Sequence, residues 1–188
     1  MQEARAAWRE KQKTMDPSKL VFLDETSKNC AMTRLYGRAK GKKRINEYVP
    51  DVRFKRTSTI STIRLNGEKA PHSFKGTLNG ERFAEYISNI LAPTMHPGDV
   101  LVLDNCSAHT LDALKPLLEI DCSYEFLPAY SPDFNPIEPS WSKMKSKLRE
   151  LKPRTEKELE EHTKIALDSF TESDLKGWFA NCGYDINE

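Results

Sequence analysis

Apolar residues recur along this chain with two different periods, and the changes of period outline the fold. The polar opening, Ala4 to Lys13, has helical character. "KLVFLDET" (19–26) then forms a short apolar run ending in acids, the pattern of a buried strand carrying Asp24 at its C-terminal end. "AMTRLYGRA" (31–39) and "FKRTSTISTIRLNGE" (54–68) alternate and are rich in Thr, Ile and Tyr, and Asn66-Gly67 is the best hairpin signal in the chain. Residues 20 to 76 therefore read as an antiparallel meander.

Helical spacing takes over in "NGERFAEYISNILAP" (79–93), where Phe83, Tyr86, Ile87, Ile90 and Leu91 share a face and predict a helix that stops before Pro93. "GDVLVLDNCSAHT" (98–110) predicts a second buried strand, again ending in an aspartate, Asp104. A helix over about 108–118 and a strand within "CSYEFLPAYSP" (122–132) come next. In "SPDFNPIEPSW" (131–141) three prolines, Pro132, Pro136 and Pro139, surround Glu138, and the stripe Trp141, Met144, Leu148, Leu151 predicts a helix starting beside that acid. Pro139 suits a first helical turn, where its missing N–H costs nothing, and Pro132 and Pro136 restrict the incoming turn. Thr155 with Glu158 makes a capping-box pattern for an acidic helix in "TEKELEEHTKIALDSF" (155–170).

A meander followed by alternating helices and strands predicts an α/β fold, a mixed sheet with helices packed on its faces. Strands joined through a helix run parallel by the right-handed crossover rule. If the strands bearing Asp24 and Asp104 are neighbours, both acids emerge at the C-terminal edge, where open α/β sheets build their sites.

Composition narrows the class. A chain of 188 residues, 38% hydrophobic and 30% charged, is long enough for one well-buried core and too apolar for a disordered protein. No apolar run approaches the roughly 18 residues of a membrane span, and the start lacks the apolar core of a signal peptide, so a cytosolic protein is expected. Cys30, Cys106, Cys122 and Cys182 are scattered without a C-x-x-C pair, which predicts reduced, structural cysteines. The net charge of +1 hides an asymmetry: residues 28–56 hold ten basic side chains against two acidic ones, and residues 154–188 hold four against nine. The basic stretch suits a polyanion, although a solvated loop has the same composition.

Three acids, Asp24, Asp104 and Glu138, each sit at the edge of a predicted element. Clustered carboxylates repel one another unless a cation lies between them, and all-oxygen ligands suit Mg²⁺ or Mn²⁺. Two such ions about 3.5 to 4 Å apart can activate a nucleophile on one side of a phosphodiester and stabilise the leaving oxygen on the other. Any one of these acids alone is equally a turn or cap residue.

"VFLDET", "YGRAKGKKR", "VLVLDNCSAH" and "YSPDFNPIEPSWSKMK" together resemble the signature blocks of the mariner-like superfamily of DDE transposases, in its bacterial insertion-sequence branch. The resemblance runs in order from about Leu20 to Arg149, and the 33 residues between Asp104 and Glu138 resemble the short spacing of this group. It implies a ribonuclease H-like fold of the retroviral-integrase superfamily, with a mixed five-stranded sheet and helices on both faces. By motif position Asp24, Asp104 and Glu138 would be the metal-binding catalytic acids, with two Mg²⁺ or Mn²⁺ ions. The implied activity is cleavage of DNA at transposon ends and strand transfer into target DNA, by a dimer on DNA in the bacterial cytoplasm, nucleoid-associated when bound. The implied organisation is a helical lead-in (1–19), a catalytic domain (20–152) and an acidic helical extension (153–188) packed on it. Such transposases usually carry helix-turn-helix modules before the catalytic domain; only about 20 residues precede Asp24 here, so end recognition is expected from a separate or missing module. A stand-alone ribonuclease H-like nuclease and a catalytically silent DNA-binding remnant are the alternative readings.

Supporting candidates are Asn105, His109 and Asn135. His109 can orient a ligand, contact phosphate or move a proton, or simply open a helix. Asn135 can brace the turn or act as a local cap. Glu25, next to Asp24 on a strand, faces away from it and is assigned no metal. For DNA phosphates the candidates are Arg38, Lys40, Lys42, Lys43 and Arg44 in the basic stretch, and Lys145 and Arg149 on the helix after Glu138. "GRAKGK" has three residues between its glycines where a phosphate loop needs four, and no nucleophile elbow surrounds Ser107, which excludes both of those sites.

Overall fold

The first apolar run becomes β1 (Leu20–Lys28), the central strand of a five-stranded sheet in the computed structural model, which describes residues 2–41, 43–46, 48–50 and 55–186. The order is β3 (His72–Lys75), β2 (Thr57–Ile63), β1, β4 (Val100–Leu103), β5 (Ser123–Phe126). β2 runs antiparallel to β1 and β3, while β4 runs parallel to β1 and β5, so the sheet is mixed as the element order predicts.

Alternation along the strands divides the core in two. Leu20, Phe22 and Val102 face one layer, shared with α1 (Gln2–Gln12), α4 (Ile137–Leu151), α5 (Glu156–Asp168) and α6 (Glu172–Asn181) through Trp8, Met144, Leu159 and Phe179. Val21, Leu23, Leu101 and Leu103 face the other, where α2 (Gly80–Tyr86) and α3 (Lys115–Leu118) deliver Phe83 and Leu117. Each fully buried side chain of this size contributes about 1.5–3 kcal/mol, so both layers clamp β1. Four buried apolar residues in a row, Leu20 to Leu23, are what a strand covered on both faces requires.

Several elements differ from the sequence reading. β1 continues past Asp24 to Lys28, because β2 pairs with it from Phe22 to Lys28. "AMTRLYGRA" is not a strand: β2 already occupies that edge of β1, and Leu35 and Tyr36 stand 69% and 92% exposed. Alternation without a partner ladder or a surface to cover does not make a strand. Among the described residues, 29–56 hold no helix or strand. The base of this segment is tied down by Arg154, which donates to the carbonyls of Cys30 and Met32 at 3.1 Å each.

The Asn66-Gly67 turn opens the β2–β3 connection, with Gly67 at φ +88° and its N–H donating to the Arg64 carbonyl at 3.0 Å. The helix over 108–118 shrinks to a 3-10 turn (Leu111–Leu114) and the four residues of α3, since Pro116 is confined to a first turn. Conversely, α2 runs on through a π-helical turn (Ile87–Leu91) and a 3-10 turn (Ala92–Thr94) that accommodates Pro93. The capping box at Thr155 and Glu158 forms, and a second at Thr171 and Asp174 starts α6, which the sequence reading does not separate. All four cysteines are free. No described helix is long and apolar enough to cross a membrane.

Phe179 of α6 meets Phe22 edge-on at 5.4 Å between ring centroids, and Lys143 of α4 pairs with Asp174. The C-terminal helices therefore share the core of the sheet. Phe179→Ala is expected to lower stability by about 3–5 kcal/mol in denaturant unfolding while keeping a single transition. A separate early transition would show that α6 is an independent appendage.

Candidate active site

The pairing of β1 with β4 runs to Phe22 opposite Val102. Two residues further along each strand are Asp24 and Asp104, so the two acids occupy matching positions where β4 ends and the sheet opens. Because side chains alternate, both lie on the face of Phe22 and Val102, the face covered by α4. Asp24 is thus a mid-strand residue at a sheet opening rather than a strand terminus. Its Oδ2 accepts a hydrogen bond of 2.8 Å from the indole Nε1 of Trp141, one turn into α4.

The third acid arrives from the loop before α4. Asn135 is buried, its Oδ1 accepts from the Ile137 N–H at 3.3 Å and its carbonyl accepts from the Glu138 N–H at 3.2 Å, so it is a brace of the helix start. Pro136 occupies the N-cap and Pro139 the first turn. Ile137, Trp141, Met144 and Leu148 bury one stripe against the sheet, and Glu138, exposed beside it, reaches the cleft. The preceding turn is held from both chain ends: Arg5 of α1 donates to Asp133 at 2.9 and 2.7 Å and to Ser131 at 2.8 Å, and the Tyr184 hydroxyl donates to the Phe134 carbonyl at 2.9 Å. Asp24, Asp104 and Glu138 line one cleft of about 460 Å³ together with Asn105, Tyr130 and Asn135.

His109, fully buried, packs on the ring of Phe83 at 4.6 Å. Its Nδ1 lies 2.9 Å from Asp104 Oδ1, and its Nε2 is 3.5 Å from Glu25 Oε2 on the opposite face of β1. Lys145 lies half-buried near Glu138 and Arg149 is exposed one turn on. Arg38, Lys40, Lys43 and Arg44 are exposed in the irregular segment, where Arg38 and Lys43 line a separate surface cavity with Tyr36 and Val49; Lys42 lies outside the described residues. The braces Trp141 and Arg5 escape the sequence reading, although a tryptophan N–H on the stripe beside an acid is a legible signal for the first.

The family model of the DDE superfamily endonucleases matches residues 19–160. The chain belongs to this family. No curated protein matches it. Among solved structures, the Mos1 transposase paired-end complex with left transposon end superposes with a TM-score of 0.74 at 16% identity, covering 96% of this chain and 57% of that one. The Mos1 strand transfer complex gives 0.69 at 17%, covering 98% and 61%. The Mos1 mariner paired-end complex with Mn gives 0.74 at 16%, covering 96% and 57%. This DDE endonuclease domain therefore shares the ribonuclease H-like fold of the Mos1 catalytic domain and spans about three fifths of the Mos1 chains.

Within the DDE fold the cleft is electrostatically strained. Burial, with the nearby charge of Glu138, pushes the Asp24 carboxyl up to about 7 against the opposing hydrogen bond from Trp141. Glu138 is also raised, by burial and then by Asp104 and Glu25, with Lys145 acting the other way. Asp104 is lowered, chiefly by its hydrogen bond to His109. Burial disfavours a charged His109, but the flanking carboxylates of Asp104 and Glu25 outweigh it and push the imidazolium up to about 10. An all-oxygen acid cluster around the half-buried Asp24, whose carboxyl holds a proton near neutrality, fits a hard divalent cation, which would take the proton's place.

Without metal, folded Asp24 keeps a proton between about pH 4 and 7 that the unfolded chain has lost, so the stability it contributes is full below pH 4 and gone above 7. Asp24→Asn removes this loss. In EDTA, the Tm advantage of the variant over the native chain should grow from pH 4 to 7 and level off above; a difference independent of pH would refute the strained carboxyl.

Proposed function

We propose that this chain is the catalytic domain of a DDE transposase of the mariner-like superfamily, in its bacterial insertion-sequence branch. It cleaves DNA at transposon ends and joins the freed 3′-hydroxyl to target DNA. The observation carrying this reading is the convergence of Asp24, Asp104 and Glu138, from two parallel strands and a proline-braced helix start, on one cleft. Family membership and the fold shared with Mos1 support it.

In this reading Asp24, Asp104 and Glu138 hold two Mg²⁺ or Mn²⁺ ions, in keeping with their all-oxygen donor set and with a Mos1 complex described with Mn. Such ions, when bound, activate the attacking oxygen and stabilise the leaving one. The protein's own contribution is placement. Trp141 holds one oxygen of Asp24 and leaves the other for a ligand, His109 fixes Asp104, and Asn135 with the prolines sets the direction of Glu138. Lys145 and Arg149, with the basic segment, steer DNA phosphates along the α4 side of the cleft. Residues 20–152 form the catalytic unit, flanked by the lead-in (1–19) and the acidic extension (153–188). Transposon-end recognition falls to a helix-turn-helix module outside these residues, and the active form is a dimer on DNA.

The test uses the purified chain supplied with its end-binding helix-turn-helix module, Mg²⁺ or Mn²⁺, and DNA bearing the terminal inverted repeats of its own element. The native chain is expected to give cut and joined products. Asp104→Asn and Glu138→Gln should each lower cleavage roughly a thousandfold, about 4 kcal/mol of barrier, with the fold unchanged by circular dichroism. Cuts without joining would identify a stand-alone nuclease. DNA binding that is indifferent to metal, with no cleavage of any substrate, would identify a silent remnant.

A further inference from the structure

The face of β1 opposite the acids holds a second cluster. Glu25 points away from the cleft toward α2, where the loop leaving β4 brings Cys106 and His109 against it. One ligand atom from each, a carboxylate oxygen, the thiol sulfur and an imidazole nitrogen, all lie within 4.8 Å of one another. Glu25 Oε2 and His109 Nε2 are buried and have no hydrogen-bond partner among the described residues. At 3.5 Å they face each other beyond ordinary hydrogen-bond distance. An ion pair this long leaves both buried atoms without a close hydrogen bond, and their separation suits two ligands of one cation seated between them.

The chemistry of the donors identifies that party. Sulfur, imidazole nitrogen and one carboxylate oxygen suit Zn²⁺ and are poor ligands for Mg²⁺. His109 is already oriented as zinc ligands are: its Nδ1 is engaged by the Asp104 carboxylate, which leaves Nε2 facing Glu25 and Cys106 and able to ligate once its proton is displaced. Phe83 packs against the ring and restricts its rotation. We propose that Glu25, Cys106 and His109 form a site for one zinc-like divalent cation, distinct from the acidic cleft, that fastens the loop after β4 to β1.

Binding exchanges the cation's two charges for two protons, one from the Cys106 thiol and one from His109 Nε2. The net charge behind Asp104 is unchanged and its hydrogen bond to Nδ1 persists. Three protein ligands leave a fourth position for water. The site therefore adds rigidity to the segment carrying Asp104 and takes no part in phosphodiester chemistry, so it stands whether or not the chain is a transposase.

Co²⁺ is the probe, titrated into the full chain with Mg²⁺ in excess. One equivalent should produce thiolate-to-cobalt charge-transfer absorption that Zn²⁺ abolishes by displacement. Cys106→Ser should lose the band with an unchanged circular dichroism spectrum, and Glu25→Gln should keep the band but require at least about tenfold more Co²⁺. The double variant Asp24→Asn/Glu138→Gln should bind as the native chain does. No band in the native chain would show that a proton alone bridges Glu25 and His109. A band surviving Cys106→Ser, or lost in the double variant, would also overturn the assignment.

Discussion

The two-residue period of β1 is the constraint on which the rest of the structure depends. Leu20 to Leu23 are buried on alternate faces, and this locks the register so that Asp24 must face α4 and Glu25 must face α2. A slip of one residue would send each to the opposite face and take Asp24 out of the cleft. Hydrophobic packing, not electrostatics, thus decides which acid serves the cleft. The same parity in β4 sends Asp104 to the side of Asp24.

Carboxylates gathered in this way repel, so the cleft must be held together by groups that gain nothing from the repulsion. The molecule supplies them from distant parts of the chain. Trp141 and Asn135 act from within the α4 region, Arg5 reaches over from the N-terminal helix, and Tyr184 closes the turn from the far end. A solvent-screened surface ion pair such as Arg5 with Asp133 adds little to stability, so its weight lies in fixing the turn's geometry. The raised Asp24 carboxyl is the residue of the conflict: the fold tolerates the acid, and burial with the charge of Glu138 pushes it up to about 7.

Much of this arrangement was legible in the sequence because it rests on local rules. Buried runs ending in Asp24 and Asp104, the helical stripe after Glu138 and the Thr155 capping box each follow from periodicity or side-chain chemistry within a few residues. What was not legible depends on partners. "AMTRLYGRA" alternates like a strand but has no free edge to join, and β1 extends past Asp24 only because β2 is there to pair. Pro116 and Pro93 acted in opposite senses, one confining a helix to a single turn and one accommodated in a fresh turn, a difference set by packing. The roles of Arg5 and Tyr184 rest on contacts more than a hundred and about fifty residues apart, respectively, which no spacing rule reaches.

Asp24, Asp104 and Glu138, aimed by β1, β4 and the start of α4, are proposed to form one site for a hard divalent cation. Calorimetric titration of the full chain with Mn²⁺ from pH 5 to 9 tests it most directly, because the cation must displace the proton that Asp24 retains. Affinity should rise about tenfold per pH unit below 7 and level off above, and Glu138→Gln should weaken it throughout. Binding that ignores both pH and the Glu138 substitution would rule out a cation held by these three acids.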